Sequence, residues 1–332
     1  MSFSLIVCTY KRPESLLRLL TSVKNQTRLP DEIVIIDGSP DDKTSNALKH
    51  VGLKLIYHKV QPEERGLTKQ RNMGISLISN DIDIVCFLDD DIVLKENYFQ
   101  ELISTYKTKQ DAIAVGGYII NEIEWEKEST DYNPHLNQYT YDNFVRKDGS
   151  RFVLRKKLGL DPDRPPAHLP KFSHGRSVGF LPPSGKTYQV EQFMGGVSSY
   201  RKEVFDKIQF STYFEGYGLY EDADFCFRLL KLGKLYVTTA AQCEHHHHPS
   251  GRPNQFQYGQ MVVRNGWYVW RLRWPEPGLK NKLKWHATIL LLAFIRLGNA
   301  AKGNNKEQAL TDGLGRLIAW LKLFFTQPKI QR

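Results

Sequence analysis

Short apolar runs alternate with helical patterns along the first part of this chain, and that alternation restricts the fold more than any other feature. Phe3-Ser4-Leu5-Ile6-Val7-Cys8-Thr9 has the character of a buried strand. Pro13 sits in the first turn of the helix that follows, and Leu16, Leu17, Leu20 and Val23 give it one apolar face. A second strand is predicted over 32–37, a third over 53–57, and a helix from Gly66 to about Ser79. A fourth apolar run, 82–88, ends in Asp89-Asp90-Asp91. Strand–helix alternation requires right-handed crossovers and a mainly parallel sheet. Such sheets bind ligands at the carboxyl ends of their strands. Thr9, Asp37 and Asp89 are all predicted at that edge.

The three aspartates are hard oxygen donors, the type that Mg²⁺ or Mn²⁺ prefers beside substrate phosphates. A solvated acidic turn is the plainer alternative. The first strand is followed by Thr9-Tyr10-Lys11-Arg12, with no glycine-rich phosphate loop. That excludes a dinucleotide fingerprint or a P-loop at this turn. Asp37 is an acceptor suited to a base or ribose, or a turn former before Gly38. Arg71 and Asn72, on the first turns of a helix, suit a diphosphate or a solvated basic face.

The 332 residues allow one large α/β domain with an appendage, or two domains. The four cysteines lie in apolar runs without metal-type spacing, as in a reduced cytosolic protein. Met1 to Val7 lacks the features of a signal peptide, and no apolar run reaches the ~20 residues of a bilayer span. The net charge of +10 is confined to the stretch from Arg264 onward. The remainder is balanced, which disfavours nucleic acid as a partner.

Downstream, 98–106 is predicted helical and 111–120 a strand. Residues 121–188 are polar, aromatic and proline-rich, an excursion from the alternating core or a plain surface insertion. Gly195 and Gly196 permit close backbone approach. Glu221-Asp222-Ala223-Asp224 is a second acidic centre opening a helix, where acids also serve as ordinary N-terminal caps. A strand over 235–239 leads to His245-His246-His247-His248. In an extended segment His245 and His247 share one side, and neutral imidazole is a Mn²⁺ ligand.

Taken together, four features resemble glycosyltransferase family 2 over roughly residues 1–270. They are Thr9-Tyr10-Lys11-Arg12 after the first strand, Asp37-Gly38-Ser39 after the second, Gly66 to Gly74 around Arg71-Asn72, and Leu88-Asp89-Asp90-Asp91. The resemblance implies an α/β, GT-A-like mixed, mainly parallel sheet flanked by helices, with a basic helical C-terminal region. It implies an inverting, metal-dependent transfer of sugar from a nucleoside-diphosphate donor to a hydroxyl acceptor. The expected acceptor is a glycan or lipid-linked glycan of cell-surface polysaccharide synthesis. Asp222 is then the general base, and Glu221 supports it or binds the acceptor. Thr9, Tyr10, Arg12, Asp37, Arg71, Asn72, Asp89, Asp90, Gly195 and Gly196 are expected around the donor. Asp89, Asp91 and His245, with His247 as second choice, are expected to hold Mn²⁺ or Mg²⁺. Arg252 is a further candidate for the diphosphate.

The expected division is a catalytic domain over 1–265, with 121–188 a variable excursion on the acceptor side, and a basic amphipathic helical region over 266–332. Lys280, Lys282 and Lys284 precede Trp285, and Leu314, Leu317, Ile318, Leu321 and Phe325 recur at helical spacing among Arg316, Lys322, Lys329 and Arg332. Such helices suit an anionic membrane surface, or packing on the protein or in a homodimer. The expected location is cytoplasmic, peripheral at the inner face of the cell membrane. Two other classes compete. A sugar nucleotidyltransferase normally needs the missing glycine-rich loop. A non-catalytic polysaccharide-binding or assembly protein has no need of Asp89, Asp91 and Asp222.

Overall fold

The computed structural model describes residues 1–214, 216–247, 254–302 and 305–331. In chain order the first elements are β1 (Phe3–Thr9), α1 (Pro13–Lys24), β2 (Glu32–Asp37), α2 (Lys43–Leu48), β3 (Ile56–Lys59), α3 (Leu67–Leu77), β4 (Ile84–Asp89), β5 (Ile92–Leu94), α4 (Tyr98–Thr108) and β6 (Ala112–Ile119). There follow β7 (Glu126–Lys127), β8 (Gln138–Tyr141), β9 (Phe144–Lys147), α5 (Ser150–Lys157), β10 (Thr187–Val190), β11 (Val197–Arg201), α6 (Glu221–Leu229) and β12 (Lys234–His245). Three helices end the chain: α7 (Gln255–Arg273), α8 (Leu279–Lys302) and α9 (Lys306–Lys322). They group into two compact units, Met1–Glu124 with Leu181–Gly251, and Trp125–Phe180 with Arg252–Arg332.

The first unit is built on a nine-stranded sheet in the order β10-β12-β6-β11-β4-β1-β2-β3, with β5 against β12. The strands β4, β1, β2 and β3 pair in parallel, as the alternation requires. Beyond β4 the sheet is mixed. β11 runs antiparallel to both β4 and β6, so β6 points the same way as β4. β12 is parallel to β6. The carboxyl ends of β1, β2, β4, β6 and β12 therefore share one edge. Leu5, Val7, Ile35, Cys86 and Leu88 pack the core with Leu16, Leu19 and Leu20 of α1 and Phe99 and Leu102 of α4. Helix α3 lies against β1 through Gly74, where a Cβ would come within 2.5 Å of the Ile6 side chain.

Two elements depart from the sequence expectation. The third strand is displaced to Ile56–Lys59, because its pairing runs from Val34↔Ile56 to Asp37↔Lys59. The last strand extends to His245, since its far end pairs with β5 as well as β6.

The second unit contains the antiparallel sheet β7-β9-β8 and helices α5 and α7 to α9. Buried Arg176 is paired with Asp148 and Asp161. Trp270 and Trp285 stack at 5.3 Å, and the Trp270 indole N–H donates to the Lys171 carbonyl. Helices α7 and α9 meet on glycines: a Cβ on Gly259 or Gly315 would lie 2.2 Å from a backbone oxygen of the other helix. Buried Asp312 accepts from Arg296 and Arg316. The expected boundary at 265 falls inside α7, and residues 125–180 of the expected 121–188 excursion contribute their own strands and helix to this unit. Among the described residues, no helix is long and apolar enough to cross a membrane.

Candidate active site

The carboxyl edge of the sheet gathers most of the residues singled out from the sequence. Thr9 ends β1, and its hydroxyl donates to Asp90 Oδ2 at 2.7 Å. Arg12 donates to Asp90 Oδ1 at 3.1 Å and lies 3.5 Å from Asp91. Both oxygens of Asp90 are thus engaged within the protein. Burial raises its pKa to about 6 against the pull of Thr9 and Arg12. Asp90 therefore braces the turn, whereas a donor-contacting role was expected for it.

Asp37 ends β2 fully buried. Its carboxylate accepts from the Ser39 backbone N–H and from the Tyr57 hydroxyl, both at 2.8 Å. Tyr57 was missed in the sequence, because its strand was placed too early to give it a register against Asp37. Tyr10 is exposed, with its ring beside Gly38.

Arg71 holds the site together. It is buried on α3, its guanidinium above the rings of Phe87 and Phe210. One nitrogen donates to Glu221 and another lies 3.6 Å from Asp89. Burial opposes its charge, but Glu221 and Asp89 outweigh that and keep it protonated. Of the two expectations for Arg71, the solvated basic face is excluded: it is a buried cation between two acidic centres. Asn72 is also occupied: its amide donates to the Phe210 carbonyl and accepts from the Phe210 N–H. It fixes that segment in place.

Gly195 and Gly196 lie against the acids. A Cβ on Gly195 would sit 2.6 Å from Glu221 Oε1, and one on Gly196 would sit 2.2 Å from Asp89 Oδ2. The Asp89 N–H donates to the Gly196 carbonyl. Of the two uses open to these glycines, ligand approach and packing, the structure shows close packing against carboxylates.

Helix α6 starts at Glu221, after Tyr220 in a left-handed conformation at φ 71°. Asp222 accepts from the Ala223 N–H at 2.7 Å and the Gly195 N–H at 3.4 Å. Burial raises the pKa of Asp222, partly offset by those backbone bonds. Burial also lifts Glu221 to about 8, against the opposing effect of Arg71. A raised carboxylate is a stronger base once ionised. Asp224, by contrast, is salt-bridged to Arg228 one turn on and is structural.

His245 ends β12. Asn121 grips its backbone, donating to the carbonyl at 3.0 Å and accepting its N–H at 2.9 Å. Its Nε2 lies 3.2 Å from Asp91 Oδ1 and its Nδ1 3.1 Å from Glu122 Oε1. Burial disfavours the charged ring, but Asp91 and Glu122 overcome it and raise the pKa to about 9. By type, the carboxylates of Asp89 and Asp91 and the imidazole of His245 suit a divalent cation, whereas the three donors that the described residues bring within 4.8 Å of one another belong to Glu122, His245 and His247. His247 turns to Glu122 at 3.1 Å. Asn121 and Glu122 were absorbed into the excursion. The signal for them was available: they follow β6, whose carboxyl end shares the edge with β4. Arg252 and His248 lie outside the described residues.

Comparison with known proteins bears on both halves of this edge. Residues 4–160 match the family model described as glycosyl transferase family 2, and residues 176–249 match that described as the N-terminal domain of galactosyltransferase. The chain is 31% identical over 139 residues to a glucosyl-dolichyl phosphate glucuronosyltransferase of Haloferax volcanii, covering 40% of this chain and 42% of that protein. It is 30% identical over 131 residues to the amylovoran biosynthesis glycosyltransferase AmsE of Erwinia amylovora, covering 38% and 48%. The matches thus span less than half the length of these curated relatives. Among solved structures, a Pyrobaculum calidifontis mannosyltransferase in complex with GDP-Man and Mn²⁺ superposes with a TM-score of 0.57 at 15% identity, over 97% of this chain and 87% of that one. GalNAc-T7 with UDP, GalNAc and Mn²⁺ gives 0.52 at 13% identity, over 90% and 57%. The fold is GT-A-like.

Proposed function

We propose that this chain, which belongs to glycosyltransferase family 2 over residues 4–160, transfers a sugar from a nucleoside-diphosphate donor to a hydroxyl of a glycan or lipid-linked glycan, with inversion. One observation carries the reading. The Arg71 guanidinium joins Asp89, at the end of β4, to Glu221, at the start of α6. The two acidic centres are therefore parts of one site, and a donor and an acceptor can be handled side by side.

In this reading the exposed Tyr10 ring packs on the base, and Asp37, Thr9 and Arg12 shape the turn beneath the nucleoside. Asp89, Asp91 and His245 hold Mn²⁺ or Mg²⁺. When bound, the cation supplies positive charge to the departing diphosphate. Asp222 takes the proton from the acceptor hydroxyl as that oxygen attacks the anomeric carbon, on the face opposite the diphosphate. Burial suits it to the task by raising its basicity. Glu221, bonded to Arg71, positions the start of α6 and so the base beside it. The names of the Haloferax and Erwinia relatives support a lipid-linked or polysaccharide acceptor. Both solved neighbours hold a nucleotide and Mn²⁺, in keeping with the donor set here.

The same reading extends to location. Leu279, Leu283 and Phe294 on α8, and Leu314, Leu321 and Phe325 on or just beyond α9, are exposed. The eight lysines and arginines of the same helices, against two acids, supply six of the ten excess charges. These helices rest peripherally on an anionic membrane surface, where a lipid-linked acceptor is found. Flotation with anionic but not neutral vesicles, lost at high salt, is the expected result. A salt-independent homodimer that covers the same side chains would replace it.

The site is tested by titrating UDP, GDP and dTDP with and without Mn²⁺ against the wild type and Asp91→Ala. The expected outcome is one nucleotide that binds only with metal and only to the wild type. Metal-independent binding, or binding unchanged in Asp91→Ala, would remove the cation from the proposal.

A further inference from the structure

The nitrogen-rich end of the site is not used up by the donor cation. We infer that Glu122, His245 and His247 form a second cation site, suited to Zn²⁺-class ions, whose occupation withdraws His245 from the donor cation.

Glu122 Oε1 lies 3.1 Å from His245 Nδ1 and 3.1 Å from His247 Nε2. The two rings are 3.9 Å apart, and the three donor atoms all fall within 4.8 Å of one another. Tetrahedral Zn²⁺ with bonds of ~2.0–2.1 Å needs donors spaced about 3.3 Å apart. The two Glu122 distances are already close to that spacing. Two imidazoles, one carboxylate and one open position are a Zn²⁺ donor set, whereas Mg²⁺ and Ca²⁺ favour oxygen. The backbone holds the arrangement: Asn121, next to Glu122, bonds His245 in both directions.

Exclusion follows from the imidazole itself. A neutral ring has one lone pair and one N–H. When Nδ1 binds a cation on the Glu122 side, Nε2 carries the proton and donates it to Asp91. When Nε2 binds a cation on the Asp91 side, Nδ1 carries the proton and donates it to Glu122. His245 therefore serves one cation at a time. A Zn²⁺-class ion on the Glu122 side leaves the donor cation with Asp89 and Asp91 alone. This coupling rests on the donor-cation reading above; the Glu122 site does not.

Co²⁺, whose visible absorption reports tetrahedral nitrogen and oxygen donors, is the direct probe. The wild type should give that spectrum. Glu122→Ala, Glu122→Gln and His247→Ala should each weaken Co²⁺ binding at least about ten-fold. Asp91→Ala should retain it. His246→Ala is the control for a non-specific histidine tract, because His246 bonds Glu244 instead. In a second measurement, Mn²⁺ bound to the wild type is followed by electron paramagnetic resonance. Zn²⁺ should weaken Mn²⁺ binding about ten-fold or more, and His247→Ala should abolish that antagonism. Equal losses in His246→Ala, or Co²⁺ binding unchanged in Glu122→Ala, would overturn the site. Co²⁺ binding as expected with no effect of Zn²⁺ on Mn²⁺ would overturn the exclusion. A wild type that gives the Co²⁺ spectrum but binds no Mn²⁺ would keep the site and remove the donor-cation reading.

Discussion

Asp222 is held by two backbone N–H groups and one step from Arg71 through Glu221. Asp222→Asn can keep only one of those contacts through its amide oxygen, because the two N–H groups bond different carboxylate oxygens, and it loses its basicity. Transfer should fall by about 10²–10⁴-fold, with metal-dependent nucleotide binding retained; full transfer would take Asp222 out of the base role. Gly196→Ala makes a different demand. Its backbone has no left-handed strain, but the new Cβ would enter the Asp89 carboxylate. If Asp89 holds the cation as proposed, displacing its carboxylate should weaken Mn²⁺-dependent nucleotide binding by ~10-fold or more, with far-UV circular dichroism unchanged. At this scale the sequence is legible where a residue type has few uses. The acids at 89, 91 and 222 stand at or beside the edge where they were expected. It misleads where a polar group can be spent internally. Asn72, Asp90 and Arg71 carry ligand-type chemistry, yet Phe210, Thr9, Arg12, Glu221 and Asp89 consume it. One-dimensional spacing does not reveal such long-range partners.

Helix α3 brings Arg71 to the acids by lying close on β1, and Gly74 is what permits that approach. Gly74→Ala would drive a methyl into Ile6 and lift the helix. A cost of about 1–3 kcal/mol is expected for such overpacking. It should appear as a lower urea midpoint by circular dichroism, together with weaker nucleotide binding as Arg71 moves. Elements with a strong apolar period were legible: β1, β2, β4, α1 and α4 fall within a few residues of expectation. Those defined by pairing were not. β3 carries partly exposed residues, so burial could not fix its limits, and its register comes from β2. β12 reaches His245 only because β5 and β6 receive its polar end.

On the whole-molecule scale, the sequence placed one boundary near 265, whereas the second compact unit takes in 125–180 as well. Polar, proline-rich composition hid that segment's membership, because what pairs its Asp148 and Asp161 is Arg176 rather than an apolar stripe. All six tryptophans belong to this unit, so intrinsic fluorescence follows it selectively. His174 contacts Trp285, and its Nε2 is buried without a hydrogen-bond partner. Burial, with Arg155, Arg316 and Arg151 adding to it, depresses its pKa to about 3. The unfolded chain takes up this proton near pH 6.5 and the folded one resists it. The associated stability is therefore full above about pH 6.5 and declines as pH falls, by about 2 kcal/mol at pH 5. Fluorescence-detected melting should show that decline, and His174→Asn should flatten it. Finally, the two family matches divide the chain between residues 160 and 176, and the Arg71–Glu221 pair has one partner on each side of that gap. Recombination within the gap, between relatives that differ at either position, would part the Arg71 guanidinium from the Glu221 carboxyl group it donates to. The gap offers a crossover point, but only parents that agree at both positions can exchange halves there and keep that pair.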